Sequence, residues 1–197
     1  MGLFTKDIAT FDDLFLNGLQ DIYYAENQIL KALPDLIDAA TNPKLARSLR
    51  DHLKETQGQI SRLEQIFGMR EEKPKGTKCQ GINGLISEGS SIAGNVSDSR
   101  VLDAAIIGSA QAVEQYEITR YRSLIEWAAE MGRNDFADIL RENLAEEIAT
   151  NDRLGSLGGK IINKRAAGKP AVRAAPRRAA SKPAARKSSK ARGRASA

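Results

Sequence analysis

Apolar residues recur at helical spacing along four long stretches, with polar residues filling the positions between them. In the first stretch, about Thr10 to Ala40, Leu19, Ile22, Glu26, Ile29 and Leu33 share one face. Thr10 suits an N-cap and Asp12 and Asp13 favour the first turn. Pro34 is expected to kink this helix or end its regular part. The second stretch runs from about Pro43 to Phe67, capped by Asn42 and stopped by Gly68. Its stripe is Leu45, Leu49, His52, Thr56, Gln59 and Leu63. The third spans about Asp98 to Met131, with Gly132 as its stop. The fourth, Asp135 to about Leu157, carries Phe136, Leu140, Asn143, Glu147, Thr150 and Leu154, and Gly158 and Gly159 are expected to end it.

Two or three residues join the first helix to the second and the third to the fourth, so each pair must fold back antiparallel. Residues 69–97 form a long link, with a short helix expected around Gly84–Ala93. Two hairpins and one long crossover predict an all-α, ferritin-like antiparallel four-helix bundle over 1–160. A weak internal repeat agrees: at an offset of 91 residues, 50–63 lies over 141–154, aligning Arg50 with Arg141, Leu53 with Leu144, Glu55 with Glu146 and Arg62 with Arg153.

Charge divides the chain. From Arg165 onward there are eleven Lys or Arg and no Asp or Glu. All 25 acidic residues therefore lie in 1–164, against 19 of the 30 basic ones, a balance of −6 before a tail of +11. The segment 161–197 is rich in Lys, Arg, Ala and Pro, buries too little apolar surface to fold alone, and is expected to be disordered. Arg165, Lys169, Arg173, Arg177, Arg178, Lys182, Arg186, Lys187, Lys190, Arg192 and Arg194 suit phosphate neutralisation on DNA or another polyanion. The tail has no aromatic side chain to stack on bases, so binding should be nonspecific and salt-dependent. Cys79 is the single cysteine, which excludes an internal disulfide and fits a cytoplasmic, reducing setting, with association to the nucleoid as an extension. No apolar run reaches membrane-spanning length and no signal peptide is evident, so no membrane partner is expected.

The chemical signal is acid in the apolar stripes. Glu26, Glu114, Glu117 and Glu147 occupy core positions, His52 lies in the stripe of the second helix, and Glu55 lies at its edge. Carboxylates converging in one core repel one another and call for cations, and two divalent metals with oxygen ligands would answer that need. The alternatives are ordinary. Glu26 can be a half-exposed edge residue, His52 a hydrogen-bonded core histidine, Glu146 a solvated neighbour, and Tyr24, Tyr116 and Tyr121 plain core groups.

The segments DIYYAENQILKALP, HLKETQGQISRLEQIF, KCQGINGLISEG, AQAVEQYEITRY and LAEEIATND resemble the YciE/YciF group of bacterial stress-response ferritin-like proteins over about residues 10–160. AVEQYEITRY is also similar to the third-helix motif of rubrerythrins, which implies di-iron ligand roles for Glu114 and Glu117. The resemblance places Glu26 and Glu147 at the first- and fourth-helix ligand positions. It implies a dinuclear site, iron before manganese, with oxidase- or peroxidase-type activity. The E-x-x-H of ferritins and rubrerythrins is absent: its positions hold Thr56/Gln59 and Glu147/Thr150. The second-helix ligands are then His52 and Glu55, or they are missing. The tail resembles those of linker histones. The chain thus reads as a stress-response metalloprotein, tethered to DNA and expected to be a homodimer. The rival reading is a metal-free helical architectural module that binds nucleic acid through its tail.

Overall fold

The structure, a computed structural model, describes residues 8–168. Four long helices, α1 (Phe11–Ala39), α2 (Pro43–Met69), α4 (Ser99–Glu130) and α5 (Asn134–Leu157), make the bundle, and α3 (Gln80–Asn95) lies in the crossover. α1 packs on α2 and α4, and α5 on α4 and α2, so the four close a ring; α3 leans on α4 and α1 from outside. This is the expected topology, and no strand occurs among the described residues.

The termini follow local chemistry. Thr10 and Asp13 form a reciprocal cap on α1: the Asp13 amide donates to Thr10 Oγ1 at 3.0 Å, and the Thr10 amide donates to Asp13 Oδ2 at 3.1 Å. Asn42 Oδ1 accepts from the amides of Lys44 and Leu45 above Pro43. The α1–α2 joint is also pinned to α4. Buried Asp103 accepts from the Thr41 amide and hydroxyl, each at 2.7 Å, and from the Asn42 amide at 3.3 Å.

One expected end holds and three boundaries differ. α1 runs on through Pro34 to Ala39. Gly68 lies inside α2, and Glu71 instead takes the left-handed turn at φ 56°, with the Glu72 amide reaching back to the Phe67 carbonyl. Gly132, at φ 72°, closes α4 in the same way, as expected. The crossover helix is longer than expected, at Gln80–Asn95. Gly158 and Gly159 do not end the last helix; they open a π turn, Gly158–Ile162, followed by α6 (Asn163–Ala166). Buried Ile162 explains the extension, because the helical path continues along α4 and hides an apolar side chain there.

Phe15 stacks on Phe136 at 5.7 Å, and Leu19, Ile22, Leu49, Leu63, Leu124 and Leu140 fill the centre. Fully burying side chains of this size contributes about 1.5–3 kcal/mol each. The link before α3 is held against α1, where the Thr77 amide donates to the Gln20 carbonyl. Gly76 makes that approach possible, since a Cβ there would stand 2.9 Å from Tyr24 Cβ.

Candidate metal centre

The stripes of all four bundle helices carry polar groups at mid-height. Glu26 comes from α1, His52, Thr56 and Gln59 from α2, Glu114 and Glu117 from α4, and Asn143, Glu147 and Thr150 from α5; all are buried. The three-residue spacing of Glu114 and Glu117 puts both on one side of α4, one turn apart.

His52, Glu114, Glu117 and Glu147 each offer a ligand atom, and these atoms all lie within 4.8 Å of one another. His52 Nε2 stands 3.3 Å from Glu114 Oε1. Glu26 joins from the other side, where Tyr121 Oη donates to its Oε1 and Asn143 Nδ2 donates to Tyr121 Oη at 2.9 Å. Gln59 Nε2 donates to Glu147 Oε1.

Much of the cluster has no protein partner. Both carboxylate oxygens of Glu117, one each of Glu26, Glu114 and Glu147, and Nδ1 of His52 are buried without a hydrogen bond. Stranding such groups costs about 1–3 kcal/mol apiece and more when they are charged. Burial first, and then the neighbouring carboxylates, pushes Glu26, Glu114 and Glu117 well above the usual carboxylate range, and burial lifts Glu147 to about 7. Burial drops His52 to about 4, so at neutral pH its imidazole is uncharged and keeps a lone pair free. An uncharged imidazole beside four carboxyls suits divalent metal, and four ionised carboxylates balance two divalent ions.

Glu55 is placed differently. Its Oε2 accepts from Arg153 Nη2 at 2.6 Å and from Thr150 Oγ1 at 2.9 Å. Partial burial opposes its charge, but the Arg153 and Thr150 bonds outweigh it and hold the carboxyl below the ordinary range. His52 Nδ1 is 4.0 Å from that oxygen. Of the two ligands weighed on α2, the structure brings His52 into the cluster and holds Glu55 at its rim. Glu146 is not simply solvated either, because Arg62 Nη2 binds it while Arg62 Nε donates to Asn143 Oδ1.

The 91-residue repeat reaches into the site. Glu26 and Glu117 are related by that offset, as are Gln20 and Gln111, and Leu33 and Leu124. The bridges Arg62–Glu146 and Arg153–Glu55 exchange under the same operation. Elsewhere in the site the likeness breaks: His52 corresponds to Asn143, Thr56 to Glu147, Gln59 to Thr150 and Glu114 to Tyr23. Reading the stripes of α2 and α5 did not reveal that Gln59 and Asn143 are donors, Gln59 to Glu147 and Asn143 to Tyr121. Their signal was position, polar residues inside an apolar stripe.

Of the tail residues, Arg165 is exposed on α6, and the other ten, Lys169 to Arg194, lie outside the described residues. No helix among the described residues is long and apolar enough to cross a membrane.

A family described as a domain of unknown function, DUF892, matches residues 10–167. Protein YciF of Escherichia coli K12 is 38% identical over 164 residues, covering 83% of this chain and 99% of that protein. Two solved structures share the fold at TM-score 0.76. YcfI from Rhodopseudomonas palustris is 52% identical over 78% of this chain and 98% of its own. The E. coli stress protein YciF is 39% identical over 80% and 99%. A structure from Xanthomonas campestris, 22% identical over 79% of this chain and 95% of its own, matches at TM-score 0.65. The chain belongs to the DUF892 family.

Proposed function

We propose that this DUF892 protein acts in the stress response by binding two divalent metal ions, iron before manganese, among Glu26, His52, Glu114, Glu117 and Glu147. The observation that carries the reading is the set of buried carboxylate oxygens without hydrogen-bond partners, converging from three helices beside an uncharged imidazole. A bound pair of ferrous ions would supply two electrons, which with two protons reduce dioxygen to hydrogen peroxide or hydrogen peroxide to water. The protein's own part is to hold the donors in place. Gln59 orients Glu147, and Tyr121, itself held by Asn143, orients Glu26. Metal binding must displace protons from the carboxyls whose affinity for protons is raised, so affinity should rise with pH.

The basic tail tethers this bundle to DNA nonspecifically, and the assembly is a homodimer in the cytoplasm. Metal content after native purification and after anaerobic ferrous loading tests the core of the proposal. Two metals per chain are expected; fewer than about one would refute it. The rival metal-free scaffold draws support from the bonds that already satisfy one oxygen each of Glu26 and Glu147. It predicts a melting temperature indifferent to added metal, whereas binding to the native state raises it. For the tail, the cut belongs after Gly168 rather than within α6, because Ile162 and the turns around it pack on α4. The shortened protein should no longer retard DNA, and equal retardation would refute the tether.

A further inference from the structure

α3 does not seal the groove between α1 and α4. It comes down tightly at one point, where buried Gly89 meets Ser109; a Cβ on Gly89 would stand 3.0 Å from Ser109 Cβ. Alongside that contact a groove of about 170 Å³ opens under α3, with Asp35, Ser90 and Ser109 among its lining residues. A second cavity, about 40 Å³, shares the walls Ala32, Leu36, Ile86, Ala110 and Val113 with it, and its lining includes His52 and Glu114. The two abut along these shared walls and together line a route from the crossover to His52 and Glu114 that side-chain motion at Ile86, Ala110 and Val113 would open.

The chemistry of the passage is selective. Apart from His52 and Glu114, the inner lining is aliphatic: Ile29, Ala32, Leu33, Leu36, Ile86, Ala110 and Val113. A void on the order of 10–15 Å³ admits a water, but a water needs two to four polar partners that these walls do not offer. The inner cavity has room for a diatomic molecule and, apart from His52 and Glu114, no group to replace the hydration shell of an ion. Hydrogen peroxide would lose its hydrogen bonds along the same walls.

We propose that this passage delivers dioxygen to the buried centre, and that metal ions enter elsewhere. The inference rests on the metal reading above. It separates two properties: occluding the passage slows oxidation and leaves metal binding alone.

Two measurements on the full chain test it. The first is a crystal of the metal-free protein under xenon pressure, since xenon fills dry apolar cavities whether or not metal is bound. Xenon density between Ile86, Ala110 and Val113 is expected, and its absence overturns the proposal. The second is stopped-flow oxidation of ferrous ion by dissolved dioxygen after anaerobic loading. Ile86→Phe and Ala110→Leu, narrowing the passage from α3 and from α4, should slow oxidation several-fold with unchanged ferrous stoichiometry. Ile86→Ala should be no slower than wild type. Circular dichroism identifies a variant that fails to fold, and the opposing Ile86 substitutions keep the test decisive if Ala110→Leu does. Unchanged oxidation rates in the narrowed proteins overturn the passage while leaving the metal reading intact. Failure of the wild type to bind ferrous ion overturns the metal reading, and the delivery role with it, even where xenon binds.

Discussion

Replacing Glu147 by Gln should make the metal-free protein more stable, and the gain should grow with pH. The carboxyl has an ordinary value near 4.5 and is lifted to about 7 by burial. The folded state therefore holds a proton that the unfolded chain releases between those values. Stability from this group is complete below about 4.5 and is lost as pH rises toward 7. Worked through linkage, Glu147 costs the fold about 1 kcal/mol at pH 5 and about 3 kcal/mol at pH 7. His52 acts in the opposite sense: with its value depressed to about 4, it contributes stability that rises through pH 4 to 6.5. Glu26, Glu114 and Glu117, also held above the ordinary range, add slopes of the same sign as Glu147, so a single wild-type pH profile cannot isolate either group. The difference between variant and wild type cancels most of the His52 slope and reports Glu147 together with the relief of its charge on Glu26, Glu114 and Glu117. Glutamine keeps an oxygen for the Gln59 bond and has nothing to ionise. Calorimetry in chelator should give melting temperatures about 6–12 °C above wild type at pH 7 and about 2–4 °C above at pH 5. Added metal should recover part of that difference in the wild type only. A gain equal at both pH values, or a variant less stable than wild type at pH 7, would refute the idea that a proton-hungry carboxyl sits in this core.

Five further substitutions probe the frame and the ligand set. Glu55→Ala should leave metal stoichiometry unchanged, because Arg153 and Thr150 already engage that carboxylate, whereas Glu117→Ala should remove metal; mass spectrometry of both loaded proteins decides between them. Tyr121→Phe removes the donor to Glu26 and the acceptor for Asn143, so denaturant titration should show a loss of about 1–3 kcal/mol. At the left-handed helix ends, Gly132→Ala should destabilise by about 1–2 kcal/mol while Glu71→Gly stabilises, by up to about 1 kcal/mol; chemical melts of the pair should move in opposite directions.

The stripes carried the fold because burial follows helical periodicity: Leu19, Ile22, Leu49 and Leu140 were readable as core, and Glu26 and Glu147 stood out against them. What periodicity does not encode is the partner. Glu55 and Glu117 both sit three residues after another candidate ligand, yet Glu55 meets Arg153, 98 residues away, and Glu117 meets no protein donor. Nothing local to Asp103 marks it as the acid on which the α1–α2 joint rests. Helix ends were legible only where local chemistry decides them. The Thr10 and Asn42 caps act within three residues, but the turn at Gly158 bends to the demand of Ile162 for cover on α4.

Arg62 and Arg153 are more than repeat partners. Each reaches from its own helix to an acid on the other, so α2 and α5 clasp each other at two points along their antiparallel contact. Sliding one helix by a single turn, about 5.4 Å, would part both clasps at once. Neither hairpin can then ratchet past the other without losing both. The buried carboxylates and His52 keep their alignment with no ion to hold them, so the metal pair proposed above could leave and return without the bundle having to find its register again.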